Sequence, residues 1–222
     1  MTKRFFQILT TLLLLAAAGP FVSLPFGMAS QAVAQELRFA NLSASFAPRH
    51  LPDSGYTSAP KGFVRFCAEH PEACQAPQKA VRAVRLGALQ RQQLTQINLQ
   101  YNAAIAPITD MEQYGQTEHW SYADTGLGDC EDYVLEKRRA LIEMGWPASV
   151  LLITVVRDHN GDGHAVLTVV TDKGDLILDN QENAILPWKE TGYRYVKRQS
   201  YEDPNKWVFL GETMVPTVVG GR

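Results

Sequence analysis

The chain has 222 residues, 45% of them apolar, enough for one domain with a substantial core and barely enough for two small ones. Charged residues are balanced at a formal −2, which excludes the basic footprint of a nucleic-acid binder and the composition of a disordered, collagen-like or coiled-coil chain.

The first residues read as a secretory leader. Lys3 and Arg4 give a basic start, Phe5 to Ala18 is apolar apart from Gln7, Thr10 and Thr11, and Ala32-Val33-Ala34 is an A-x-A cleavage site. The apolar run falls short of the roughly 20 residues a spanning helix needs, and Pro20 and Pro25 break its extension. The expectation is removal of residues 1–34 by cleavage after Ala34, and a soluble mature domain, 35–222, in the periplasm. In that oxidising compartment Cys67 and Cys74, with Pro71 turning the chain between them, are the expected disulfide. Cys130 is left over, as a buried inert thiol, a partner for another chain or a reactive nucleophile.

Gln35 to about Gln78 is rich in Pro, Ser, Ala and Gly and reads as irregular, with 35–62 an N-terminal arm that carries no functional signal. From Lys79 to about Ile105 the pattern turns helical, with Leu86, Leu89, Leu94, Ile97, Tyr101 and Ala104 near one face and Gly87 able to split it in two. Ile108 to Gly128 reads as a mixed loop. Asp129 to Met144 is the next helix, with a stripe of Val134, Leu135, Leu141 and Ile142 and a stop at Gly145 and Pro147. Strands follow at 149–156, 164–170, 175–179, 193–199 and 207–210, the first two joined by a turn over 158–163. Helices first and a mostly antiparallel sheet after them make the α+β class.

Three residues carry the chemistry. Cys130 falls in the first turn of a helix, where unpaired N–H groups and the helix dipole favour a thiolate and can serve an oxyanion. His164 starts a strand after a glycine-rich turn and can be aimed at that helix end as the base. Asp179 ends the next strand; if the two strands are neighbours it can reach the far nitrogen of His164 and fix its tautomer. Each alone has a structural explanation: a packed thiol, a turn histidine, a capping aspartate.

The runs GDCEDYVLEKRRALIEMGWP and HAVLTVVTDKGDLILDN, with FCAEHPEAC, INLQYNAAI and DMEQYGQTEHW upstream, resemble the bacterial transglutaminase-like cysteine proteinases over roughly 62–180. The resemblance implies a papain-like, transglutaminase-like cysteine proteinase fold, helices packed on an antiparallel sheet, with Cys130 as nucleophile, His164 as base and Asp179 as orienting carboxylate. It also implies a calcium-dependent periplasmic endopeptidase that cuts a large secreted adhesin near its N-terminus, so controlling biofilm release. An inner-membrane cyclic di-GMP receptor would sequester it.

Calcium has its own physical argument. Asp129, Glu131 and Asp132 surround Cys130 with carboxylates, which oppose a thiolate unless a cation neutralises them. The resemblance carries calcium binding onto these three residues; the alternative is that they simply favour a helix N-terminus. Asp158-His159-Asn160-Gly161-Asp162-Gly163 mimics half an EF-hand loop, but its twelfth position is Val169, so a hairpin turn explains it better. Trp120 is either a cleft residue or a core tryptophan. The same triad would also serve protein cross-linking or cleavage of a cell-wall amide, and a non-catalytic binding module could keep the fold.

Overall fold

The computed structural model describes residues 49–211; the expected leader and residues 35–48 of the arm lie outside them. In chain order come β1 (Tyr56–Thr57), α1 (Lys61–Glu69), α2 (Ala88–Ala104), β2 (Ala106–Pro107), α3 (Asp110–Tyr114), β3 (Leu127–Gly128) and α4 (Cys130–Glu143). The second half supplies β4 (Leu151–Arg157), β5 (Gly163–Thr171), β6 (Gly174–Leu178), β7 (Leu186–Pro187), β8 (Arg194–Gln199) and β9 (Trp207–Phe209). Seven strands form one sheet in the order β1-β9-β8-β4-β5-β6-β7, with every neighbouring pair antiparallel. The fold is therefore the expected α+β arrangement of helices on an antiparallel sheet. Among the described residues no helix is long and apolar enough to cross a membrane.

β4 and β5 are apolar along almost their whole length because both faces of the sheet are covered. Leu151, Ile153, Val155, Ala165, Leu167 and Val169 join the core under the helices. Val156, Val166 and Ile177 join a second cluster with Leu51, Tyr195 and Leu210. α4 packs on both β5 and α2, and its residues from Cys130 to Arg138 are all buried. A helix enclosed in this way needs partners for its polar side chains: Arg138 donates to the carbonyls of Leu151 at 3.1 Å and Ala73 at 3.2 Å.

Several local expectations change in the first half. The arm is not irregular throughout: Tyr56–Thr57 pairs with β9, and the buried Leu51 donates its N–H to Asp175 Oδ2 at 2.9 Å. α1 forms inside the stretch read as irregular, because Phe63 and Phe66 bury one face of a helix too short to announce itself by periodicity. Residues 79–87 are not helical: Val84 exchanges backbone hydrogen bonds with Val170 and Asp172, and this sheet contact overrides the helical pattern. Gly87 does not divide a helix but caps the start of α2, and Leu89 on that helix is exposed. The loop read over 108–128 contains α3 and ends in β3, which pairs in parallel with β2 just before it. Cys67 and Cys74 are joined as a disulfide, with Cα atoms 5.6 Å apart, tying α1 to the turn that follows it.

Candidate active site

The entry to α4 fixes where Cys130 sits. Gly126 has φ +76°, a conformation open to glycine, and turns the chain into β3, which pairs with β2. At Gly128 the backbone runs so close to Asp132 that an added Cβ would meet its Cβ and Oδ2 at 2.8 Å. Cys130 is then the first residue of α4, buried, with its thiol donating to Glu131 Oε2 at 3.2 Å and accepting the Ala165 N–H at 3.2 Å. Burial, with the neighbouring Glu131 and Asp129 carboxylates, pushes this thiol well above its ordinary value, against the pull of the Ala165 N–H.

His164 and Asp179 are brought together by the sheet. β5 and β6 pair up to Leu167 opposite Leu178, so Asp179 continues beside Val166, on the face of the strand that His164 shares. His164 Nε2 lies 2.9 Å from Asp179 Oδ1, both residues buried. Burial by itself would raise the Asp179 carboxyl. The His164 bond and charge, the Tyr193 hydroxyl and the Gln181 N–H together hold it below the ordinary value. An ionised carboxylate accepts only, so Nε2 carries the proton of this bond and Nδ1 is the ring nitrogen left facing away from Asp179.

Tyr193 is a site residue that sequence reasoning passed over. Its hydroxyl donates to Asp179 Oδ2 at 2.6 Å, and its ring stands edge-on to the His164 ring at 5.7 Å. In the sequence it is an ordinary aromatic at the start of a strand, and no spacing pattern marks it.

The acidic residues divide into two sets. Asp110, Asp129 and Glu131, all buried, bring carboxylate oxygens within 4.8 Å of one another. Both oxygens of Asp129 and Oε1 of Glu131 lack hydrogen-bond partners in the protein. Asp132 lies outside this group: its carboxylate accepts the backbone N–H of Ser121 at 2.9 Å and of Asp129 at 3.3 Å, so it braces the loop before the helix. Burial pushes Asp129 up to about 7 and Asp132 up to about 8, with charge from neighbouring acids adding to both. Burial and the Asp129 carboxylate raise Glu131 well above its ordinary value. Unpartnered oxygens on Asp129 and Glu131 beside a third buried acid, Asp110, with no nitrogen or sulfur ligand among them, fit a hard cation. Asp110 had a sequence signal: Thr109-x-x-Glu112 is a capping box, with the Glu112 N–H bonded to Thr109 Oγ1 at 3.2 Å, and it sets Asp110 as the first residue of α3.

Cys130 and His164 open onto one cleft of about 320 Å³. Ile108, Thr109 and Glu112 form one wall, and Asp158, Asn160 and Asp162 stand in the other. The EF-hand-like run is the hairpin between β4 and β5: Asp158 Oδ1 accepts the N–H groups of Asn160 at 2.8 Å and Asp162 at 2.9 Å. Trp120 takes the core alternative, buried and packed edge-on against Phe63 at 5.8 Å.

The sequence profile of the bacterial transglutaminase-like cysteine proteinases (BTLCP) matches residues 53–215. No curated protein matches the chain. Among solved structures, Legionella pneumophila LapG is similar at 21% identity over 78% of this chain and 84% of that chain, with a TM-score of 0.46. Its calcium-bound form aligns at 21% identity over 83% and 93%, with a TM-score of 0.47. The EGTA-treated form aligns at 20% over 80% and 86%, with a TM-score of 0.45. The profile match takes in the whole sheet, the four helices of the described residues and both walls of the cleft, and by it this chain belongs to the bacterial transglutaminase-like cysteine proteinases, enzymes that cut peptide bonds through a cysteine.

Proposed function

We propose that this cysteine protease is an exported, calcium-dependent endopeptidase in which Cys130, His164 and Asp179 act as the triad. The observation that carries the reading is the buried His164–Asp179 bond of 2.9 Å, with His164 lining the same cleft as Cys130. With Nε2 committed to Asp179, His164 Nδ1 takes the thiol proton as Cys130 Sγ attacks the peptide carbonyl. The Cys130 N–H, at the first turn of α4, faces the developing oxyanion. His164 then returns the proton to the leaving amine, and water, activated by the same imidazole, frees the acyl group from Cys130.

The cation reading rests on Asp110, Asp129 and Glu131, whose oxygens lie together and in part unpartnered. Asp132 supports them from the loop. Bound there, calcium supplies positive charge against the carboxylates that disfavour the thiolate. The substrate proposed from the family resemblance is a large secreted adhesin cut near its N-terminus, with a cyclic di-GMP receptor as the sequestering partner. Residues 1–34 are the proposed export signal, and 35–222 the proposed mature domain.

The test is cleavage of an N-terminal adhesin fragment from the same genome by residues 35–222, followed on a gel. A discrete product is expected with wild type and calcium, and none with Cys130→Ala or with a chelator. Cleavage by Cys130→Ala would sink the nucleophile, and cleavage in chelator would sink the metal.

A further inference from the structure

Lys137 is fully buried two helical turns after Cys130 on α4, roughly 10 Å along the axis, and no catalytic step uses it. A packed apolar residue would fill that space without burying a charge. What the lysine contributes is its head group: Nζ donates to Asn98 Oδ1 at 2.8 Å and to Asn102 Oδ1 at 2.6 Å, both on the facing helix α2. An ammonium only donates, so both carboxamides must turn their oxygens toward it and their NH₂ groups away. Those NH₂ groups hold one loop. Asn98 Nδ2 donates to the carbonyls of Glu182 at 3.1 Å and Asn183 at 3.0 Å. Asn102 Nδ2 donates to the Asp179 carbonyl at 2.9 Å and to Asn183 Oδ1 at 2.9 Å.

The loop so held begins with Asp179 and includes Asn180 and Gln181, which line the cleft. The helix that presents the thiol and the loop that presents the carboxylate are thus joined beneath the cleft by one cation and two amides. We infer that Lys137 is a positioning residue, whose ammonium orients Asn98 and Asn102 and through them fixes Asp179 against His164. The inference rests on the triad reading above. The charged and titratable groups facing Nζ are the Tyr133 ring at 5.7 Å on its own helix and, at longer range, Asp179. Burial lowers the lysine to about 7, with Asp179 pulling the other way, in keeping with a head group held by amides rather than by a carboxylate.

The test compares the full mature chain with Lys137→Met and Asn102→Ala, the second at a partly exposed position. The readout is the rate of Cys130 alkylation by iodoacetamide as a function of pH, in calcium, with melting temperature as the control for folding. A loosened Asp179 leaves His164 less able to hold the thiol proton. Both variants are therefore expected to react on the order of tenfold more slowly near neutral pH, with the rise of the profile displaced to higher pH. Wild-type profiles in either folded variant overturn the inference, and if Lys137→Met does not fold, Asn102→Ala alone decides. His164→Ala separates the two levels: if it leaves the wild-type profile unmoved the triad reading fails, whereas a moved His164→Ala profile beside an unmoved Asn102→Ala profile removes only the network.

Discussion

Two residues outside the proposed triad would shape its chemistry. Tyr193 gives Asp179 a charge-assisted hydrogen bond of 2.6 Å and stacks its ring edge on His164. Tyr193→Phe keeps the ring and removes only the hydroxyl. The expected result is a kcat lower by about tenfold, roughly 1.4 kcal/mol of barrier, with KM nearly unchanged in steady-state kinetics. Asp110 adds its carboxylate to those of Asp129 and Glu131 from a different element. Asp110→Asn keeps the shape and removes a charge from the set. It should raise the calcium concentration for half-maximal activity by about tenfold, and calcium titration of the variant checks it. An unchanged titration would leave Asp110 a purely structural acid, bonded to the His119 N–H.

At the scale of elements, the site depends on how tightly the chain enters α4. Gly128 is hemmed in by Asp132, whose carboxylate in turn receives the N–H groups of Ser121 and Asp129. A methyl group there has no room, and the neighbour it meets is fixed at both oxygens. Gly128→Ala should cost about 1–3 kcal/mol in chemical denaturation and slow Cys130 alkylation, because the same shift moves the first residue of the helix. β5 and β6 are less exposed to such changes. The backbone ladder that runs from Thr171–Gly174 to Leu167–Leu178 sets the relation of His164 to Asp179.

For the molecule as a whole, the buried acids make stability depend on pH and on the cation together. Folded Asp129 and Asp132 lie at about 7 and about 8, above their ordinary value of 3.8. Between those values the folded state binds more protons than the unfolded chain. Without metal, this contribution is therefore full below about 4 and is lost as pH rises through 7 to 8. The lowered Asp179 loses its own contribution only below the ordinary carboxylate range, and Lys137 acts in the opposite direction only above about 7, so neither masks the window between. Melting temperature in chelator should fall as pH rises from 5 to about 7. In calcium the slope should reverse, since binding needs the ionised carboxylates, and a hundredfold excess over Kd adds about 2.7 kcal/mol. Identical slopes with and without calcium would remove the metal from this cluster.

The helix α4, the succession of β4, β5, β6, β8 and β9, the disulfide and the turn read over 158–163 were legible in the sequence because each follows from local rules: apolar runs, turn residues, cysteine parity. The placement of Cys130 at a helix start and of His164 and Asp179 at strand ends was legible for the same reason. What the tertiary structure alone decided depends on partners distant in the chain. Val84 leaves its helical pattern for a backbone bond to Val170, and Phe63 and Phe66 make a helix only because a core receives them. Asp132 turns to brace a loop while Asp110 takes a place beside Asp129 and Glu131. Tyr193 and Lys137 meet Asp179 and the asparagines of α2 across separations that no periodicity encodes. A sequence window specifies which elements form; which side chains share a buried polar site is set when those elements pack.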